Sequence, residues 1–231
     1  NSITNQDGST GPQVCGVSTF SGKSGIQIPS GSTDFRRLDG GGRGRGVIGG
    51  GYVAPANVRT IDVIEIATSG NASDFGDLVQ TANLIGSGAA SATRGIFFGR
   101  FDSPATKDEI EYVTISSEGE AFDFGNMIQA RAGASGLSDN TRGVIASGYP
   151  VTYQNGTNSM EFLTIATTGS SNDFGNLSFA GGYYPMCCAS PTRGIIAGGR
   201  DSNAKNNVID FITIQSKGSG IKFGELLTHE G

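Results

Sequence analysis

The chain has 231 residues, a length at which closed β folds form single domains. Glycine supplies 38 of them, more than twice the usual ~7% share, and 36% are hydrophobic, which describes a turn-rich globular chain with a thin core. A net charge of −5 offers no broad attraction to phosphate backbones or anionic membranes, and no apolar run approaches the ~20 residues of a membrane span.

Beginning at Asn1 without Met, the chain reads as a fragment or a processed product. Pro12-Gln13-Val14-Cys15-Gly16-Val17-Ser18 resembles Pro185-Met186-Cys187-Cys188-Ala189-Ser190 much further on. Between residues 28 and 35, Ile28-Pro29-Ser30-Gly31-Ser32-Thr33-Asp34-Phe35 looks like a shortened copy of a motif that recurs later, so residues 19–45 read as a degenerate unit.

From Arg45 onward the sequence repeats with a period of roughly 50 residues. Arg45-Gly46 returns as Thr93-Arg94-Gly95, Thr141-Arg142-Gly143 and Thr192-Arg193-Gly194. A turn-like phrase follows each copy: Ile64 to Gly70, Val113 to Gly119, Leu163 to Gly169 and Ile212 to Gly218. A third marker closes the unit: Asp74-Phe75-Gly76, Asp123-Phe124-Gly125, Asp173-Phe174-Gly175 and Lys222-Phe223-Gly224. Three markers in one order, four times, identify a duplicated structural unit.

Each unit reads as four short strands. A small apolar strand follows Arg-Gly, and a longer alternating one comes second, as in Val208 to Ile214. The third surrounds Phe-Gly, and the fourth is less regular. The expectation is an all-β chain: a β-propeller of four full four-stranded blades plus one reduced blade. The innermost strands are expected to begin at Gly46, Gly95, Gly143 and Gly194. The last unit stops before its fourth strand, and the N-terminal strand is expected to close the ring in its place. A four-bladed propeller with an inserted loop is the alternative. The organisation is a single domain over 1–231, with 1–18 as arm and closing strand, 19–45 degenerate, and repeats at 46–94, 95–142, 143–193 and 194–231.

The Gly-Gly ending of the first strand and the blade length resemble kelch-type propellers, although the chain has no Trp. The phrase Thr164-Ile165-Ala166-Thr167-Thr168-Gly169, then Asn172-Asp173-Phe174-Gly175-Asn176-Leu177 and Ser190-Pro191-Thr192-Arg193-Gly194, resembles repeats of virion structural proteins of marine tailed bacteriophages, including cyanophages. The likeness covers residues 46–231. It implies a tail, fibre or appendage component with structural or host-recognition duty, located in the virion or outside the cell. Its partners would be other virion proteins or copies of itself, and a host-surface glycan or protein. The resemblance carries no site residues.

Several motifs suggest chemistry that their context does not support. Gly44-Arg45-Gly46-Val47-Ile48-Gly49 matches the dinucleotide-binding pattern, but a strand and Gly50-Gly51 follow where a helix is needed. The Asp-Phe-Gly triplets resemble the magnesium aspartate of kinases, yet three copies without the other kinase motifs speak for architecture. His229 is the one histidine, so a multi-histidine metal site is impossible. Three cysteines, Cys15, Cys187 and Cys188, make a poor disulfide framework. Glu111 sits where other units place Asp62, Glu161 and Asp210, and an acid in every unit reads as structural. The expectation is no enzyme, no cofactor and no metal, and neither nucleic-acid binding nor membrane insertion.

Binding is expected where the units vary, in the loops after each Arg-Gly strand. The candidate recognition residues there are Tyr52, Arg100, Phe101, Asp102, Tyr149, Tyr153, Asn155, Arg200 and Asp201. The repeated residues are expected to build the frame. Arg45, Arg94, Arg142 and Arg193 belong to it, and Arg94, Arg142 and Arg193 are to reach Asp74, Asp123 and Asp173, or carbonyls beside them, in the turn between second and third strands. Phe75, Phe124, Phe174 and Phe223 are to be buried between blades.

Overall fold

A computed structural model of the chain describes residues 44–82, 87–150, 156–179, 182–200 and 205–227. The expected closing strand Pro12–Ser18 and the degenerate unit up to residue 43 lie outside them, as do Tyr153, Asn155 and Asp201. Contacts divide the chain between Leu38 and Asp39, and all that is described belongs to the second part.

The described residues are all β, with no helix. The first sheet holds β1 (Arg45–Val53), β2 (Ala56–Glu65) and β3 (Ser73–Ala82). The second holds β4 (Ser87–Ala90), β5 (Arg94–Phe98), β8 (Glu109–Thr114) and β9 (Phe122–Asn126), with a small ribbon of β6 (Phe101–Asp102) and β7 (Ala105–Thr106) in its loop. The third is β10 (Ser135–Ser138), β11 (Arg142–Ala146), β12 (Ser159–Thr164) and β13 (Asn172–Asn176). The fourth is β14 (Met186–Ala189), β15 (Arg193–Ala197), β16 (Val208–Thr213) and β17 (Ile221–Glu225). Every pairing is antiparallel.

The phase of the sheets differs from the sequence reading by one strand. The Arg-Gly strands β5, β11 and β15 are second in their sheets, and the strand before each one is first. The cause is a tight hairpin. Ser91 Oγ accepts the Arg94 N–H at 3.1 Å, Asp139 Oδ1 that of Arg142 at 2.7 Å, and Ser190 Oγ that of Arg193 at 3.1 Å. These side-chain turns fold β4, β10 and β14 forward onto the following strand. The first strands are rich in small residues, as Ser87-Gly-Ala-Ala and Ser135-Gly-Leu-Ser show, and β10 packs against both β4 and β14.

A bulge recurs at one place in all four sheets. Ile110 faces Gly125 while Glu111 faces Asp123, so Phe124 is the extra residue on its strand. Phe75, Phe174 and Phe223 occupy the same position. The bulge turns the ring out of the sheet, and the glycine after Phe124 takes φ 141°, which an L side chain would resist. The Asp-Phe-Gly marker therefore lies within the last strand of its sheet, β3, β9 or β13, as Lys222-Phe223-Gly224 does in β17, and not in the turn before it.

Three apolar clusters join neighbouring sheets. Phe75 and Leu78 of the first pack with Phe97 and Val113 of the second. Phe124 and Met127 of the second pack with Ile145, Leu163 and Ile165 of the third. Phe174 and Leu177 of the third pack with Ile196, Ile212 and Ile214 of the fourth. Phe223 departs from the pattern at 60% exposed, because no described sheet follows it. Cys187 packs against the last cluster and Cys188 is exposed. Burial pushes the Cys187 thiol up to about 12, with the neighbouring Cys188 adding to the shift.

Candidate functional site

The repeated residues are brought together at the joints between sheets. Arg94 Nη1 donates to the carbonyl of Ile165 at 3.0 Å, Arg142 Nη1 to that of Ile214 at 3.0 Å, and Arg45 Nη1 to that of Ile115 at 3.2 Å. Each acceptor is the first residue after β8, β12 or β16 in the next sheet, about 70 residues on. The guanidiniums of Arg94, Arg142 and Arg193 stack over Tyr112, Phe162 and Phe211 of their own sheets, 4.4–4.6 Å from the ring centres. Arg45, Arg94 and Arg142 thus meet turn carbonyls of the following sheet, and Arg45 adds Glu65 at 2.8 Å. Asp74, Asp123 and Asp173 stay exposed on their strands.

The backbone adds a second element to each joint. The N–H groups of Gly119, Gly169 and Gly218 donate to the carbonyls of Phe75, Phe124 and Phe174, at 2.8, 2.7 and 2.9 Å. The approach is so close that a Cβ at Gly175 would stand 2.6 Å from the Gly218 carbonyl.

The recurring acid is the third element. Glu111 Oε2 accepts the N–H of Val79 at 2.9 Å, Glu161 Oε2 that of Ile128 at 2.9 Å, and Asp210 Oδ2 that of Ser178 at 2.6 Å. In each case the carboxylate caps a backbone donor of the preceding sheet. Arg100 bonds Glu111 at 2.9 Å and Glu109 at 3.0 Å. Arg131 is fully buried, pairs with Glu161, and donates to the carbonyls of Ser147 and Ser159 at 3.1 Å. Burial raises the Glu111 carboxyl above its ordinary value, against the pull of the Val79 N–H and Arg100. Burial lowers the Arg131 guanidinium to about 10. The sequence reading missed Arg131 because it occurs in one unit and belongs to no repeat.

The candidate recognition residues separate into two groups. Arg100 and Tyr149 are buried, so the structure uses them internally. Tyr149 meets Tyr183 edge-on at 5.6 Å, and Tyr183 meets Tyr184 at 5.4 Å. Asp102 accepts from Asn57 of the first sheet at 3.3 Å, and Phe101 is half-buried in β6. Tyr52 and Arg200 are exposed, with Tyr184 beside them in exposure though not in the expectation.

A cavity of about 570 Å³ is lined by Val47, Gly88, Ala89, Leu137, Ser138 and Cys188, so all four sheets contribute to it. Its size suits a small ligand, but the lining is mostly apolar, with Ile48, Ile96, Phe97, Ile115 and Leu137 beside glycines and alanines, and Ser138 and Arg45 are the side chains that offer hydrogen bonds. Among the described residues no group of three or more His, Cys, Asp or Glu is placed to hold a metal ion, and no helix is long and apolar enough to cross a membrane. Compared with models of known protein families and with curated proteins, the sequence matches none.

Proposed function

We propose that this chain is a structural and adhesive module of a phage virion, built as a propeller-type array in which the four sheets are blades about a common cavity. The observation that carries the reading is the joint. The residues that repeat are spent on holding one sheet to the next: Arg to carbonyl, acid to N–H, Phe into the neighbouring core. That is scaffold chemistry, and it leaves the unit-specific loops to make contacts. The virion role rests on the resemblance of the repeat phrases, and it carries with it a location in the particle or outside the cell.

The reading is tested by immunogold labelling of the particles that carry this chain. Gold on tails, fibres or appendages supports it, and particles that assemble, infect and stay unlabelled oppose it.

A lectin-type propeller is the second reading, favoured by exposed Tyr52, Tyr184 and Arg200 in the variable loops. A glycan array distinguishes the two, since a scaffold without recognition duty retains no sugar. Turnover of a host polysaccharide would instead establish a glycan-active enzyme and displace both.

A further inference from the structure

The first and fourth sheets each present half of a joint that the structure shows complete three times. The half that a sheet offers forward consists of the bulged Phe, the Leu or Met three residues on, the glycine after the Phe, and the N–H four residues after it. The half that receives it consists of three apolar residues, the turn glycine and the acid.

In the complete joint between second and third sheets, Phe124 and Met127 are 2% and 3% exposed, and the receiving Ile145, Leu163 and Ile165 are 0–1% exposed. In the fourth sheet the forward residues Phe223, Leu226 and Leu227 are 60%, 44% and 87% exposed. In the first sheet the receiving residues Ile48, Ile64 and Ile66 are 54%, 36% and 66% exposed. The smaller parts match. A Cβ at Gly224 would meet nothing within 4 Å, whereas Gly76, Gly125 and Gly175 are pressed against the turn of the next sheet. Asp62 is exposed where Glu111, Glu161 and Asp210 are buried and bonded. Arg193 keeps its stack over Phe211, with no following sheet among the described residues to offer the carbonyl that Arg142 finds on Ile214.

We infer that the open face of the fourth sheet binds the open face of the first sheet of a second copy of this chain, head to tail. The joint would repeat the other three: Phe223 and Leu226 against Ile48, Ile64 and Ile66, Arg193 on the carbonyl of Ile66, the Gly70 N–H on the carbonyl of Phe223, and Asp62 on the N–H of Leu227. A second copy is the fitting occupant because it carries both halves in full and, among the described residues, nothing of the same chain covers either half. Residues 1–43 contain no Phe-Gly pair, and their nearest approach to the turn, Ile26-Gln27-Ile28-Pro29-Ser30-Gly31, is one residue short. Two different surfaces meet, so the contact is heterologous and each copy retains a free face unless the rotation closes. The inference rests on the joints and not on the virion reading.

The test is sedimentation of the wild-type chain over micromolar to near-millimolar concentrations, with Phe223→Asp and Ile66→Asp. Wild type should associate with rising concentration. Each variant alone should be monomeric, its dissociation constant weakened by at least about 30-fold, as for a central anchor residue. Mixed in equal amounts, the two variants should form a dimer of one copy each and nothing larger, because one good face remains on each. A wild type monomeric throughout overturns the inference, as does a variant that associates as wild type does, or a mixture that stays monomeric. If Phe223→Asp does not fold, Leu226→Asp takes its place. A monomer in which Phe223 is protected from solvent means that the chain covers the face itself, and this too overturns it.

Discussion

Arg94 and Ile165 stand 71 residues apart in sequence, and the guanidinium of one donates to the backbone carbonyl of the other at 3.0 Å. The same guanidinium lies 4.5 Å from the ring centre of Tyr112 in its own sheet. One side chain therefore grips two sheets, flat against an aromatic ring on one side and pointing its N–H at a turn on the other. A lysine can supply charge here but not the planar stack. That is why the repeat keeps arginine at Arg94, Arg142 and Arg193, each over a ring, whereas Arg45 keeps the turn carbonyl and pairs with Glu65.

Arg142 makes the same pair of contacts, with Phe162 at 4.4 Å and the Ile214 carbonyl at 3.0 Å. Arg142→Ala should cost about 1–3 kcal/mol, from the lost stack and the charged hydrogen bond. Arg142→Lys should recover less than half of that. Urea denaturation of the three proteins checks it, and a lysine variant as stable as wild type would show that charge alone suffices.

The bulged phenylalanines should divide by position. Phe174 is 2% exposed in a joint and Phe223 is 60% exposed at an open face. Phe174→Ala should cost roughly 3–5 kcal/mol, and Phe223→Ala no more than about 0.5 kcal/mol in dilute solution where copies stay apart. The glycines should follow them. Gly175→Ala drives a Cβ into the Gly218 backbone, and Gly224→Ala has open space. Thermal melts of the four variants at low concentration provide the comparison, and equal losses at both positions would contradict the joint.

The repeat, its β character and the importance of Arg, Phe and the recurrent acid were legible in the sequence, because duplication writes each structural duty several times. The phase was not. A strand such as Ser87-Gly88-Ala89-Ala90 looks equally able to end one unit or begin the next, and the decision falls to one hydroxyl, Ser91 Oγ, on the Arg94 N–H. The partner of each arginine was half legible: a turn carbonyl is nameable from sequence, but which sheet supplies it depends on how sheets stack. Arg131 was invisible for the opposite reason. It is written once, among loop residues, and only packing shows that it is fully buried against Glu161.

Asp139 should make the hairpin before Arg142 sensitive to acid. Burial pushes its carboxyl up, but the Arg142 and Thr141 N–H groups, the Thr141 hydroxyl and Gln215 together hold it below its ordinary 3.8. A carboxyl depressed in the folded state adds stability that is present above the unfolded value and lost as pH falls through the folded one. The advantage of wild type over Asp139→Asn should therefore be constant from neutral pH down to near 3.8 and shrink below it. Denaturation midpoints along an acid series read this directly. An advantage that grows on acidification would assign the effect to another group.

Glu161 and Arg131 should behave as a unit. The arginine is fully buried and the glutamate is 2% exposed, and the carboxylate also accepts the Ile128 N–H at 2.9 Å and the Ser171 hydroxyl at 2.5 Å. Glu161→Gln retains an oxygen for the N–H but leaves a buried guanidinium without its counter-charge, which should cost about 3–5 kcal/mol. Arg131→Met removes the cation and leaves the carboxylate its two other donors, so it should cost less. In the double variant no unpaired charge remains, and the amide oxygen still caps Ile128. The double variant should therefore be more stable than Glu161→Gln alone, with a coupling of roughly 1–3 kcal/mol between the positions. A complete double-mutant cycle by urea denaturation measures it. Additive losses would mean that the two side chains act separately, and that the acid in this repeat position works as a backbone cap without regard to the arginine behind it.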